Sequence, residues 1–219
     1  LEEALDLEVR IENDANLYAL GEWLAGAGQG MDNLVVITLG TGVGGGIILD
    51  GRLWTGSFGN AGEIGHMVVE PDGRPCKCGS NGCLETLASG TAMAEMAREW
   101  IQNGEPCGYQ GNLEYLTSAD LFDLARQGDP LALKVFNKAG SSLGLALTNV
   151  FNLLGLEGAI IGGGAGVVFD FLKPKILEEL SGRVFTADLD QITLARSTLG
   201  ESASLIGAPT LFDAALANR

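Results

Sequence analysis

Three cysteines fall within one short stretch, Cys76-Lys77-Cys78-Gly79-Ser80-Asn81-Gly82-Cys83, and the chain's only histidine, His66, lies upstream across a Pro71-Asp72-Gly73 turn. Structural zinc takes four tetrahedral sulfur or nitrogen ligands, and His66, Cys76, Cys78 and Cys83 offer that number and type. Glycines between the thiols let the chain fold about one point. Two blander readings stand beside this one. A disulfide would leave an odd thiol and is rare in a reducing compartment; inert core thiols seldom gather in a glycine-lined loop. Cys107 reads as a surface or half-buried thiol.

The run Gly40-Thr41-Gly42-Val43-Gly44-Gly45-Gly46 sits between two apparent strands. A glycine-rich turn can present a row of backbone N–H groups to phosphate oxygens, with the Thr41 hydroxyl added. Hairpins between buried strands also collect glycine, so both readings stand. The run matches neither the dinucleotide fingerprint nor the lysine-bearing phosphate loop. Gly162-Gly163-Gly164 follows a strand pattern and precedes a helix, which suits a nucleotide or a tight structural turn equally. Glu12-Asn13-Asp14-Ala15-Asn16 concentrates polar groups where a strand pattern gives way to a helix. Such groups face the ligand crevice at the carboxyl end of a parallel strand, and a carboxylate there can act as general base towards a hydroxyl. Plain helix capping by Asn13 or Asp14 accounts for the same residues. Glu63 and Glu85 flank the metal motif as solvated acids or as parts of a frame that holds hydroxyls.

Positioning these groups requires an α/β scaffold. Leu1 to Leu5 reads as the middle of a helix, and Leu7 to Ile11 alternates as a strand. A helix runs from Asn13 or Asp14 to about Ala27. Asn33 to Leu39 is a buried strand, and Ile47 to Leu49 ends in an Asp50-Gly51 hairpin turn. From Thr55 to Gly82 the chain is loop-rich apart from a short strand at His66 to Val69. Helices are expected over Gly90–Gln102, over Ser118–Arg126 with Ser118 as cap, and over Pro130–Leu154 behind Asp129. The face of the last carries Gly140, Ser141, Ser142, Gly144, Ala146 and Thr148, which permits close packing. A strand at Gly158–Ile161, a helix ending near Ser181, a strand near Gln191–Ala195 and a helix from about Ser204 complete the pattern. Gln102 to Thr117 reads as a mobile surface insertion.

At 219 residues, 46% hydrophobic and 19% charged, the chain can bury a sizeable core. Its 13 basic and 28 acidic residues give a net charge of -15, the wrong sign for a nucleic-acid surface. No apolar run reaches the length of a membrane span, so the expectation is a soluble, cytoplasmic protein. A phosphate-handling site on so acidic a chain needs local donors or a metal ion.

Taken in order, Glu12-Asn13-Asp14-Ala15-Asn16, the 40–46 glycine run, Gly62-Glu63-Ile64-Gly65-His66, the Cys76-x-Cys78-Gly79-x-x-Gly82-Cys83-x-Glu85 motif and Gly162-Gly163-Gly164 resemble the ROK family of bacterial sugar kinases and sugar-responsive repressors. The resemblance runs over essentially the whole chain. It implies an actin-like ATPase (ribonuclease H-like) lobe with a mixed sheet, helices and a zinc-containing loop at 55–85. By position, Asp14 resembles the catalytic base and Asn13 the neighbour that orients the sugar. Glu63, His66 and Glu85 resemble ligands of sugar hydroxyls, with His66 binding zinc through its other nitrogen. Gly42 resembles the point where backbone approaches both sugar and phosphates. Gly40, Thr41, Gly42 and Gly44 resemble a phosphate loop, and Gly162, Gly163 and Gly164 the segment against the adenosine.

The implied reaction is ATP-dependent phosphorylation of a hexose or N-acetylhexosamine, glucokinase-like, with Mg2+ accompanying ATP, structural zinc and a homodimer. The family's Asp-x-Gly-x-Thr phosphate motif has no counterpart here, so residues 1–219 are expected to form a single C-terminal lobe, a fragment or trimmed chain nearly inactive alone. A second reading is the sugar-sensing domain of a ROK repressor, the only one that brings in nucleic acid. A third is a ligand-free zinc-stabilised module, which leaves Asn13, Asp14 and Glu63 without a role.

Overall fold

The computed structural model describes residues 1–212. After a one-turn helix α1 (Glu2–Leu5), residues 6–13 carry no regular structure until α2 (Asp14–Ala25) begins. The strand expected at Leu7 to Ile11 is therefore absent. Leu7 and Ile11 are both exposed, and among the described residues no strand pairs with that segment. Strands β1 (Leu34–Leu39), β2 (Val43–Leu49) and β3 (Arg52–Leu53) follow, the last two joined through the expected Asp50-Gly51 turn.

Helices α3 (Glu85–Ala88), α4 (Gly90–Gln102), α5 (Ser118–Arg126) and α6 (Pro130–Leu154) then lead to β4 (Gly158–Gly162). A 3-10 turn at Gly164–Val168 precedes α7 (Phe169–Ser181), and β5 (Thr193–Arg196) and α8 (Ala203–Gly207) close the described chain with a further 3-10 stretch at Ala208–Phe212. The terminal helix expected from about Ser204 is thus seen to residue 212, and the rest lies outside the described residues. Asp129 caps α6 as expected. The cap of α5 is Thr117 rather than Ser118, because Thr117 and Asp120 close a reciprocal capping box. The 102–117 stretch is pinned to the helices: Gly108 N–H donates to Asp129 Oδ2 at 2.7 Å, and Glu105 pairs with Lys134.

The sheet has the order β3-β2-β1-β4-β5, with β1, β4 and β5 parallel and β2 antiparallel to both its neighbours. Successive residues of a strand face opposite sides, and β1 divides accordingly. Leu34 and Val36 join Tyr18, Leu20 and Ala203 of α2 and α8 on one face; Val35, Ile37 and Leu39 join α6 and α7 on the other. Gly140 and Gly144 of α6 let α7 approach closely, since a Cβ at Gly144 would lie 2.6 Å from Glu179 Cβ.

The 40–46 glycine run is only partly a loop. Gly44, Gly45 and Gly46 are strand residues of β2, and Gly40–Gly42 alone form the turn. A Cβ on Gly44 would meet Ala15 Cβ at 2.9 Å, and one on Gly46 would meet Ala19 Cβ at 2.5 Å and Ala15 O at 2.9 Å. Both glycines are thus the floor on which α2 rests. The expected strand at His66–Val69 is also replaced: Ile64–His66 is a 3-10 turn, and Val68 forms one isolated bridge with Cys83. The tight metal loop offers too short an edge for a ladder.

Gly46→Ala should lower the unfolding free energy by about 1–3 kcal/mol through overpacking, seen as a reduced urea midpoint. An unchanged midpoint would mean that α2 does not lie this close to β2.

Candidate functional site

Where β1 and β4 end and β2 begins, against the start of α2, a cleft of about 480 Å³ opens. Its walls include Asp14, Tyr18, Gly40, Thr41, Gly42, Gly44, Glu85, Gly163 and Gly164. Asn13, Glu63, His66 and Gly162 are not among its walls. Asp14 is the first residue of α2, and Asn13 is its cap: Asn13 Oδ1 accepts from Ala15 N–H at 2.8 Å and Asn16 N–H at 3.4 Å. Capping and cleft-forming are therefore both true of this motif. Ala15 N–H also donates to Asp14 Oδ1 at 2.9 Å, and Asp14 Oδ2 makes no hydrogen bond among the described residues.

The Gly40–Gly42 turn is held from two sides. Gly90 N–H, at the start of α4, donates to Gly40 O at 2.8 Å. Val43 N–H donates to Glu85 Oε2 at 3.0 Å, and a Cβ on Gly42 would stand 2.4 Å from that oxygen. Among the described residues, the Thr41 and Gly42 N–H groups have no protein acceptor, so they remain available to an anion. A second cleft of about 490 Å³ shares Gly40, Thr41 and Gly164 with the first and extends past Thr91, Arg98 and Ser118. The two adjoin there as one groove.

The metal motif lies beside this groove, joined to it through Glu85. Ligand atoms of His66, Cys76, Cys78 and Cys83 all fall within 4.8 Å of one another. Cys78 and Cys83 sulfurs are 3.6 Å apart, and Cys76 Sγ is 3.7 Å from His66 Nδ1. Tetrahedral zinc with ordinary bond lengths needs S···S edges of about 3.8 Å and S···N edges of about 3.6 Å. The donor set therefore fits a four-coordinate ion with Nδ1 as the histidine ligand. His66 Nε2 is left on the other side, 3.9 Å from Glu63 Oε2. The loop is a small hairpin in which Cys76 N–H donates to Ser80 O and Gly79 N–H to Cys76 O. Arg74 pairs with Glu99 of α4 and Glu70 with Lys138 of α6, which anchors the loop to the helices.

A match to the ROK family model spans residues 1–215. The chain belongs to the ROK family. It is 42% identical over 213 residues to a glucokinase from Halalkalibacterium halodurans, covering 94% of this chain and 64% of that protein. Among solved structures it is similar to a ROK family glucokinase from Streptomyces griseus in complex with glucose and AMPPNP, with 36% identity and a TM-score of 0.84 over 96% of this chain and 70% of the other. It is also similar to a ROK family transcriptional regulator homologous to the E. coli MLC protein, at 36% identity and a TM-score of 0.88, covering 97% of this chain and 54% of that one. The mixed five-stranded sheet with helices on both faces is thus the actin-like ATPase fold of ROK proteins.

Tyr18, Thr38 and Ser204 line the cleft of this ROK chain without having been picked out in the sequence. Tyr18 had a signal: Asp14, Tyr18 and Glu22 recur at the i, i+4, i+8 spacing of one helix face. Ser204 had none, because only the packing of α8 on α2 brings it near Asp14, where its Oγ donates to the main-chain O at 3.2 Å.

The thiols make metal capture pH-dependent. Burial, with hydrogen bonds to Cys78 and Cys76, pushes the metal-free Cys83 thiol up to about 12, whereas hydrogen bonding from the Ser80 backbone, then from Cys76 and Cys83, lowers that of Cys78. Cys83 is therefore protonated at neutral pH in the metal-free protein and must lose its proton to bind an ion. Zinc added to stripped protein in weak buffer should release protons, and affinity should rise with pH. Elemental analysis should find about one ion per chain, and Cys78→Ser should weaken binding by more than about a hundredfold. Metal retention in Cys78→Ser would remove that thiol from the ligand set.

Proposed function

We propose that this chain is the sugar-side and nucleotide-side lobe of an ATP-dependent hexose kinase of glucokinase type. The observation that carries the reading is the placement of Asp14, with an uncommitted Oδ2, across one cleft from the donor turn Gly40–Gly42. In the proposed reaction Asp14 takes the proton from a sugar hydroxyl while that oxygen bonds to the γ-phosphorus of ATP. The bond from that phosphorus to the β,γ-bridging oxygen breaks, and ADP leaves with the electron pair. Such a transfer is catalysed mainly by positioning and by stabilisation of charge. Thr41 and Gly42 N–H groups would supply the donors, and Mg2+ bound with ATP would neutralise phosphate charge. The groove beyond Gly164, past Thr91 and Ser118, has room for the adenosine.

The chain spans 64% of the length of the glucokinase it matches, so the activity, like cytoplasmic location and pairing of two copies, is proposed for the full-length protein. Zinc held by His66 Nδ1, Cys76, Cys78 and Cys83 would fix the His66 ring, leaving Nε2 and Glu63 to take sugar hydroxyls. For them to grip the sugar that Asp14 deprotonates, it must extend past Glu85, which lines the cleft two residues from Cys83. Asn13 would orient the sugar through its amide nitrogen, since its oxygen caps α2. The frame holds hydroxyls common to hexoses and N-acetylhexosamines.

A second reading is the sugar-sensing domain of a ROK repressor, supported by the TM-score of 0.88 with a ROK transcriptional regulator. Coupled ATP turnover by the full-length protein on a panel of hexoses and N-acetylhexosamines separates the two. The kinase reading expects turnover with at least one sugar and a loss of about 10²–10⁴-fold in Asp14→Asn. Full activity in Asp14→Asn would sink Asp14 as base, and sugar binding without any turnover would favour the repressor.

A further inference from the structure

Glu22 of α2 is completely buried, yet among the described residues no Lys or Arg pairs with it. Four donors converge on its carboxylate instead. Ser197 Oγ–H and Leu199 N–H donate to Oε1 at 2.6 and 2.9 Å, and Ala27 N–H and Thr198 N–H donate to Oε2 at 2.9 and 3.3 Å. A buried charge is tolerated only when its lone pairs are satisfied in this way.

The chain of hydrogen bonds continues towards the cleft, and its direction is determined. Ser197 has one hydroxyl proton, which goes to Glu22. Its oxygen therefore accepts from Tyr18 O–H at 2.7 Å and from Gly200 N–H at 3.2 Å. The Tyr18 oxygen in turn accepts from Gly163 N–H at 3.1 Å. Every donor points the same way, from the Gly163 amide through Tyr18 and Ser197 to the Glu22 carboxylate, an arrangement in which each bond polarises the next. Gly163 N–H is thereby committed to Tyr18 and does not face the ligand.

Sterics leave the Gly163 turn little alternative. Gly163 has φ 80°, and a Cβ there would meet Leu39 O at 2.5 Å. On the other side, a Cβ on Gly162 would stand 2.4 Å from the Tyr18 hydroxyl. The turn is clamped between the end of β1 and Tyr18, with Gly163, Gly164 and Tyr18 all forming the cleft wall that Asp14 shares.

We propose that Tyr18 is a positioning residue that sets the Gly163–Gly164 turn for the nucleotide, keyed through Ser197 to the buried Glu22. This rests on the kinase reading of the same cleft. Tyr18→Phe keeps the buried ring and removes only the hydroxyl. In the full-length protein, AMPPNP affinity by calorimetry should fall about fivefold in Tyr18→Phe, the worth of one hydrogen bond. The KM for ATP should rise in parallel, with the KM for sugar unchanged. Gly163 amide exchange, followed by NMR, should quicken by a similar factor.

Ser197→Ala should reproduce the effect, and the double variant should be no worse than either single one, because both cut one chain. Nucleotide affinity and Gly163 exchange that both stay at wild-type values in Tyr18→Phe overturn the proposal. So do additive losses in the double variant, or equal rises in both KM values with a lowered melting temperature, which mark a merely structural tyrosine. A wild-type protein that binds no AMPPNP sinks the kinase reading and this one together; wild-type binding with an unaltered variant sinks this one alone.

Discussion

Helix α2 lies on β2 at a separation that leaves no room for a side chain at Gly44 or Gly46, and the geometry of the cleft depends on that contact. Because the helix sits so low, its first turn reaches the end of the sheet, where Asp14 meets the Gly40–Gly42 turn. The same face then carries Tyr18 and Glu22 inward to the strand ends of β4 and β5. A methyl group on the strand would lift the helix and move all three polar residues relative to the backbone donors. Close packing leaves no slack to absorb such a change.

A second link ties the metal loop to this arrangement. Glu85 begins α3 two residues after Cys83 and accepts from Val43 N–H at the start of β2. That carboxylate thus connects the metal motif to the turn that offers free donors. The ion pairs Arg74–Glu99 and Glu70–Lys138 are partly exposed and individually weak. They matter as anchors for a loop with little core of its own.

Sequence spacing predicted the regular elements well where the signals were strong and local. Helices α4 and α6 have the bounds read from the pattern, because Ser89 and Asp129 caps and Pro130 act within a few residues. The failures share a cause. Leu7–Ile11 alternates like a strand and His66–Val69 reads as a short one, but a strand exists only where another offers its edge, and no local pattern contains that information. The glycines at 44–46 read as loop for a related reason: glycine in a strand often marks close backbone approach, and the approaching element comes from elsewhere in the chain.

By itself, the sequence marked out the candidate metal donor set, since three thiols in one short stretch and a histidine one turn upstream can converge without help from distant parts of the fold. It also determined the family, through the order of five motifs, and the existence of a polar helix start at Asn13 and Asp14. Only the tertiary structure decided which of these groups share a cleft. It separated Asp14, Thr41 and Glu85 from Glu63 and His66, and it committed Gly163 N–H to Tyr18. That tyrosine and its partner Ser197 lie 179 positions apart in the chain, and a contact of that kind arises only when α2 and the strand ends of the sheet are packed together.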